Sequence, residues 1–209
     1  MSKIIFEKFI SLGSFCSPAL WIKELGLRNS AYPLDWILTP DLRRTNDLIE
    51  NNFIDFLEIK HLVAMDKLTS VTLNMQNTKY NLRFVHDFSK DSDAESQLSD
   101  VKTKYDRRIN RFYETLYSRK ILFIRYVTRS GFDEAPEIDR LIGILKSYND
   151  NFKLILVKNS DSPLGTIKNK DFILKIFDVE IDEGNVFKIG LPDELKDYLD
   201  QHIEFVLRD

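Results

Sequence analysis

The chain carries a single cysteine, Cys16, within the stretch "SLGSFCSPALW". A thiol attacks only as its thiolate, and a helix N-terminus favours that anion. Ser17-Pro18 reads as a helix start, with Ser17 capping and Pro18 at the first helical position. Cys16 then stands just before the cap, near N–H groups that would also polarise a substrate carbonyl. Gly13 allows a close backbone approach at this corner. The alternative for Cys16 is a buried small hydrophobe, the common fate of a lone intracellular cysteine.

A cysteine nucleophile needs a base, most often histidine. The chain offers His61, His86 and His202. His202 lies on the last amphipathic segment and reads as a surface or packing residue. His61 follows "FLEIK" with no chemistry around it. His86 closes an apolar strand and is followed by Asp87, and a polar pair at a strand end is a functional position in α/β folds. Its alternative is a hydrogen-bonded strand-end histidine. A carboxylate should orient the imidazole. Neighbours on a strand face opposite ways, which favours Asp35 of "YPLDWI" over Asp87. Asp35 could equally brace its own corner through backbone N–H groups. Arg125 in "LFIRY" puts a cation inside an apolar strand, where it needs a carboxylate such as Asp35 or Asp87, or an anionic substrate. The candidate catalytic residues are therefore Cys16, His86, Asp35 and Asp87; the candidate substrate-binding residues are Gly13, Ser14, Ser17 and Arg125.

These side chains must be positioned by regular elements. "KFISLG" is a buried-type strand ended by Gly13, and Leu20, Trp21 and Leu25 recur at helical spacing after it. "DLRRTNDLIENNFIDFL" reads as a helix to about residue 52. "TSVTLNMQNTKYNLRFVHDF" reads as a hairpin turning near Gln76-Asn77. The acidic "SKDSDAESQLSD" resembles a flexible connection. It leads into a helix whose apolar face carries Val101, Tyr105, Ile109, Phe112 and Leu116. "KILFIRYV", "APEIDRLIGILKSY" and "FKLILVKNS" form a strand, helix and strand with continuous apolar strands, the pattern of a parallel βαβ unit. "FILKIFDVEI" and "VFKIGLP" add one or two strands, and "PDELKDYLDQHIEFVL" closes as a helix. The reading is one α/β domain over residues 1–209, a three-layer sheet with a parallel βαβ core and an inserted β-hairpin.

Of 209 residues, 33 are acidic and 30 basic, for a formal charge of −3, so no global basic footprint for nucleic acid exists. "RRINR" reads as a solvated helix face. One thiol and three scattered histidines do not make a zinc site. Phosphate-loop and G-x-S-x-G motifs are absent. No apolar run is long enough for a membrane helix. "MSKIIFEKFISLG" lacks a signal-peptide pattern. A cytoplasmic protein without cofactor is expected.

Three motifs in order, "SLGSFC", "YPLDWI" and "RFVHDF", followed by "RRINRF" and "ILFIR", resemble a bacterial and viral family of papain-like cysteine peptidases whose function is unknown. The likeness runs from about residue 9 to 126, and more weakly to about 160. It implies Cys16 as nucleophile and His86 as its base. It also implies a papain-like α+β fold, the alternative to the parallel α/β reading. The expected activity is a cysteine-dependent hydrolase or acyl transferase acting on a peptide, ester or glycan-linked substrate. The alternative is a ligand-binding or sugar-modifying α/β domain of bacterial surface-polysaccharide metabolism, with a structural cysteine.

Overall fold

The computed structural model describes residues 2–65, 72–128, 133–180 and 189–206. Its centre is a parallel sheet. Strands β2 (Lys8–Ser11), β7 (Ile121–Val127), β8 (Phe152–Asn159) and β9 (Ile173–Val179) pair in the order β2-β7-β8-β9, every neighbour parallel. All seven residues of β7 are buried, as expected for a strand covered on both faces. Alternate side chains sort into two cores. Ile121, Phe123 and Val127 join α2 (Leu42–Glu50), α3 (Ala94–Ser118) and α4 (Ala135–Lys146). Leu122, Ile124 and Tyr126 join α1 (Ser17–Glu24) and α5 (Asp193–His202). The parallel βαβ unit is thus β7-α4-β8.

Between β2 and β7 the chain builds an antiparallel sheet in the order β3-β6-β5-β4, from β3 (Ile37–Leu38), β4 (Leu62–Ala64), β5 (Thr72–Asn77) and β6 (Leu82–Ser89). The hairpin turn falls at residues 78–81, later than Gln76-Asn77. Asn77 stays in the strand because its amide donates to the Asp55 and Phe56 carbonyls, while its Oδ1 accepts from the Tyr80 N–H. The mixed α/β architecture with a parallel core is the one expected.

Several local expectations are corrected. The acidic "SKDSDAESQLSD" is mostly the start of α3: Asp93 caps it by accepting from the Ser96 N–H at 3.1 Å. Gln97 then pins that start to β6, bonding both the N–H and the carbonyl of Ser89. The terminal helix stops at His202. Ile203–Phe205 instead forms β10, pairing in parallel with an unanticipated β1 (Ile4–Phe6). Its "IEF" suits a strand, and Phe205 packs edge-on against Phe9. In "VFKIGLP", Val186–Lys188 lie outside the described residues, and Ile189–Pro192 carry no strand.

Candidate active site

The corner between β2 and α1 is held by one side-chain and two main-chain hydrogen bonds. The Gly13 N–H donates to Ser11 Oγ, the Gly13 carbonyl accepts from the Tyr126 N–H, and the Ser14 carbonyl accepts from the Thr39 N–H at 2.7 Å. Gly13 has φ +74°, and a Cβ placed there would lie 2.3 Å from Thr39 Oγ1. Only glycine meets both demands without strain. Helix α1 begins at Ser17, so the N-cap is Cys16 and not Ser17. Its sulfur makes no cap hydrogen bond. Pro18, in the first turn, needs no N–H acceptor there.

The Cys16 sulfur faces a histidine instead. Sγ lies 3.6 Å from His86 Nε2. Cys16 is 3% exposed, packed in the core with Phe15, Trp21, Leu38 and Val85, whereas His86 is exposed. Burial pushes the thiol up to about 12, with the charges of Asp87 and then Asp35 adding to the rise. At neutral pH the resting sulfur is therefore a protonated thiol beside an accessible imidazole.

A strand irregularity brings His86 to this position. Leu73 of β5 faces Phe88 of β6, but Met75 faces Phe84, so the single residue Asn74 opposes Val85, His86 and Asp87. Regular alternation would put His86 on the same face as Phe84 and Phe88, inside the larger core. Phe84 and Phe88 keep their places in that core and Val85 faces the core of Cys16, while the bulge turns His86 away from the larger core towards the sulfur. Bulges re-aim side chains in this way beside many active sites.

The two candidate carboxylates are engaged elsewhere. Asp35 Oδ2 accepts from Arg28 Nη2 and from the Tyr32 N–H, both at 2.8 Å. Asp87 accepts from Lys104 Nζ at 2.6 Å and from the Tyr105 hydroxyl at 2.8 Å. Among the described residues neither bonds the His86 ring, whose other neighbour is the Trp36 indole, edge-on at 6.4 Å. Gly13, Ser14 and Ser17 are buried in the corner. Arg125 is wholly buried and meets neither Asp35 nor Asp87. It donates to the Leu12 carbonyl at 2.9 Å and pairs with Glu134 at 3.4 Å. Asp35 and Asp87 pair instead with Arg28 and Lys104, and Glu134, at the N-cap of α4, is the carboxylate that meets the arginine.

Beside His86 lies a cleft of about 350 Å³ lined by Trp36, His86, Asp87, Lys104 and Arg108. The "RRINR" segment is therefore only partly a solvated face. Arg107 is exposed, but Arg108 lines the cleft and Arg111 donates to the Ala31 carbonyl at 2.8 Å. The sequence signal that marks these positions is the four-residue spacing of Lys104 and Arg108, which stacks them on one helix face. Arg28 shows no such signal; it is placed by its bond to Asp35 and its position 4.7 Å over the Trp36 ring.

Residues 7–158 match the model of a family described as "Putative papain-like cysteine peptidase". The chain belongs to this family. An uncharacterized protein of Acanthamoeba polyphaga mimivirus is 31% identical over 196 residues, covering 81% of this chain and 88% of the relative. No solved structure matches. No helix among the described residues of this family member is long and apolar enough to cross a membrane.

Asp35 provides a pH test of the site's construction. Burial raises its carboxyl from 3.8 to about 6, against the lowering effect of the Tyr32 N–H bond and of the Arg28 and Arg108 charges. A carboxyl with a raised folded pKa holds its proton more tightly folded than unfolded. Its contribution to stability is thus largest below about pH 4 and is lost as pH rises through about 6. A carbon-13 titration of the Asp35 carboxyl should show a midpoint near 6, moving higher in Arg28→Met. A midpoint at the ordinary 3.8 would mean that the corner is open to water.

Proposed function

We propose that this chain is a cysteine-dependent hydrolase or acyl transferase in which Cys16 attacks a carbonyl carbon and His86 carries the proton. The observation that carries the reading is the 3.6 Å approach of Cys16 Sγ to His86 Nε2. That distance suits a nucleophile and base whose bond tightens in the substrate complex.

The chemistry follows from the resting state. Because the thiol is protonated, His86 acts as general base when the substrate arrives. The S–H proton passes to Nε2 as the S–C bond forms, and the carbonyl electrons move onto oxygen. The positive end of α1 at Cys16 opposes the negative charge that develops there. Collapse of the adduct expels the leaving group, which takes the proton from Nε2 and leaves a thioester on Cys16. Water, or another acceptor activated by the same imidazole, then releases the acyl group. In this reading no carboxylate orients the imidazole, so the site works as a dyad.

The test is acylation by 4-nitrophenyl acetate. A burst of one nitrophenolate per chain is expected, with one acetyl group located on Cys16 by mass spectrometry and no burst in Cys16→Ser. A native chain that gives no burst and no acetylated Cys16 would overturn the reading.

The 3% exposure of Cys16 favours a second reading, a ligand-binding domain in which the thiol is packing. It expects Cys16→Ser to keep full binding while loss of Arg28 or Arg108 abolishes it.

A further inference from the structure

We propose that the cleft beside His86 selects an acyl substrate bearing an anionic group, a carboxylate or a phosphate, and that Arg108 is its anchor. The inference rests on the thiol hydrolase reading and adds the substrate class to it.

Five charged side chains surround the site. Arg28 is bound to Asp35 and Lys104 to Asp87. Both Asp87 oxygens are occupied, one by Lys104 and the other by the Tyr105 hydroxyl. Arg108 remains, with no carboxylate pair among the described residues. Its Nη1 is shielded from solvent yet has no hydrogen-bond acceptor. Guanidinium N–H groups are normally satisfied, so an Arg108 that lines the cleft without a carboxylate partner has donors to spare for a ligand. The group is held in place as well as unpaired, since its carbon sits 5.0 Å over the Tyr105 ring. A guanidinium presents planar, paired donors suited to a carboxylate or phosphate.

The placement ties this anchor to the chemistry. Arg108 and His86 line the same cleft, with Trp36 as an apolar wall. At about 350 Å³ the cleft is at the small end of ligand sites, sized for a small acyl group or the end of a chain. An anion held by Arg108 would fix the substrate beside His86, the side chain that lines the cleft and approaches the sulfur at 3.6 Å.

The experiment uses the full chain and two readouts. In the first, inorganic phosphate and acetate are titrated separately against Cys16→Ser, following tryptophan fluorescence. Trp36 lines the cleft and Trp21 is sealed in the core, so a saturable change reports the cleft. Saturation by at least one anion is expected. The dissociation constant should rise about tenfold or more in Arg108→Gln and much less in Arg108→Lys. The anion that binds more tightly identifies the group. In the second, the native chain is alkylated with iodoacetate and with iodoacetamide, which differ in charge. Phosphate should slow iodoacetate selectively. No saturable response to either anion, or a response unchanged in Arg108→Gln, overturns the proposal. If Arg108→Gln does not fold, equal slowing of both reagents by phosphate overturns it. Loss of the 4-nitrophenyl acetate burst with anion binding intact would instead strike the thiol reading alone.

Discussion

Replacing His86 by alanine is expected to slow acylation of Cys16 by 4-nitrophenyl acetate at pH 7 by at least about a hundredfold. The magnitude follows from the state of the sulfur. With its pKa pushed up to about 12, the thiol is ionised in only about one molecule in 10⁵ at pH 7. Without the imidazole, attack depends on that small fraction. With it, the proton passes from the sulfur to a nitrogen 3.6 Å away as the bond to carbon forms, and no free thiolate is required. The pH dependence gives the second half of the test. In His86→Ala the rate should climb tenfold per pH unit through pH 10, so its deficit relative to the native chain shrinks as pH rises. His86 is exposed, so the substitution buries no new group and should leave the fold intact. Equal rates in the two proteins at pH 7 would remove His86 from the reaction.

Replacing Glu134 by alanine is expected to cost about 3–5 kcal/mol of stability, read as a lower denaturant midpoint at unchanged slope. Arg125 is 0% exposed in the middle of the sheet, and Glu134 is its carboxylate partner. The Leu12 carbonyl satisfies one N–H but does not neutralise the charge. Truncating Glu134 leaves that charge in a medium of low dielectric with no carboxylate partner among the described residues. Replacing both partners together, Arg125→Met with Glu134→Leu, should recover most of the loss. A single Glu134→Ala variant of native stability would show that water reaches the arginine.

The two pairings differ in how far they could be read from residues alone. The position of Cys16 was legible to within one residue, because a glycine ending an apolar strand and a proline opening a helix leave only a short corner between them; the cap falls on Cys16 and not on Ser17. The parallel core was legible for the same kind of reason: "ILFIRYV" and "FKLILVKN" are apolar on both faces. The direction of His86 was not legible. Strict alternation of "FVHDF" buries histidine with two phenylalanines, and the bulge that redirects it shows only in the pairing of this strand with β5. Charge pairing was equally opaque. Arg125 needs a carboxylate, yet the pairing of Glu134 with Arg125, of Asp35 with Arg28 and of Asp87 with Lys104 is set by the tertiary fold and not by spacing in the chain. The start of α3 was missed because acidic, polar composition resembles a linker, while Asp93 and Gln97 use that same polarity to cap the helix and bind it to β6. The cation face of α3 shows the same limit, since spacing reveals that Lys104 and Arg108 share a face but not which of them is already paired.

The burial of Cys16 also bears on how the protein ages. Peroxides oxidise cysteine through its thiolate, and successive steps beyond the sulfenic acid are largely irreversible. A thiol kept protonated to about pH 12 and 3% exposed offers that chemistry almost no substrate at rest. As the only cysteine in the chain, it has no neighbour to rescue it by disulfide formation. Durability of the sulfur therefore comes from concealment, and on the proposed thiol mechanism its nucleophilicity would be confined to the interval when a carbonyl group is bound beside His86.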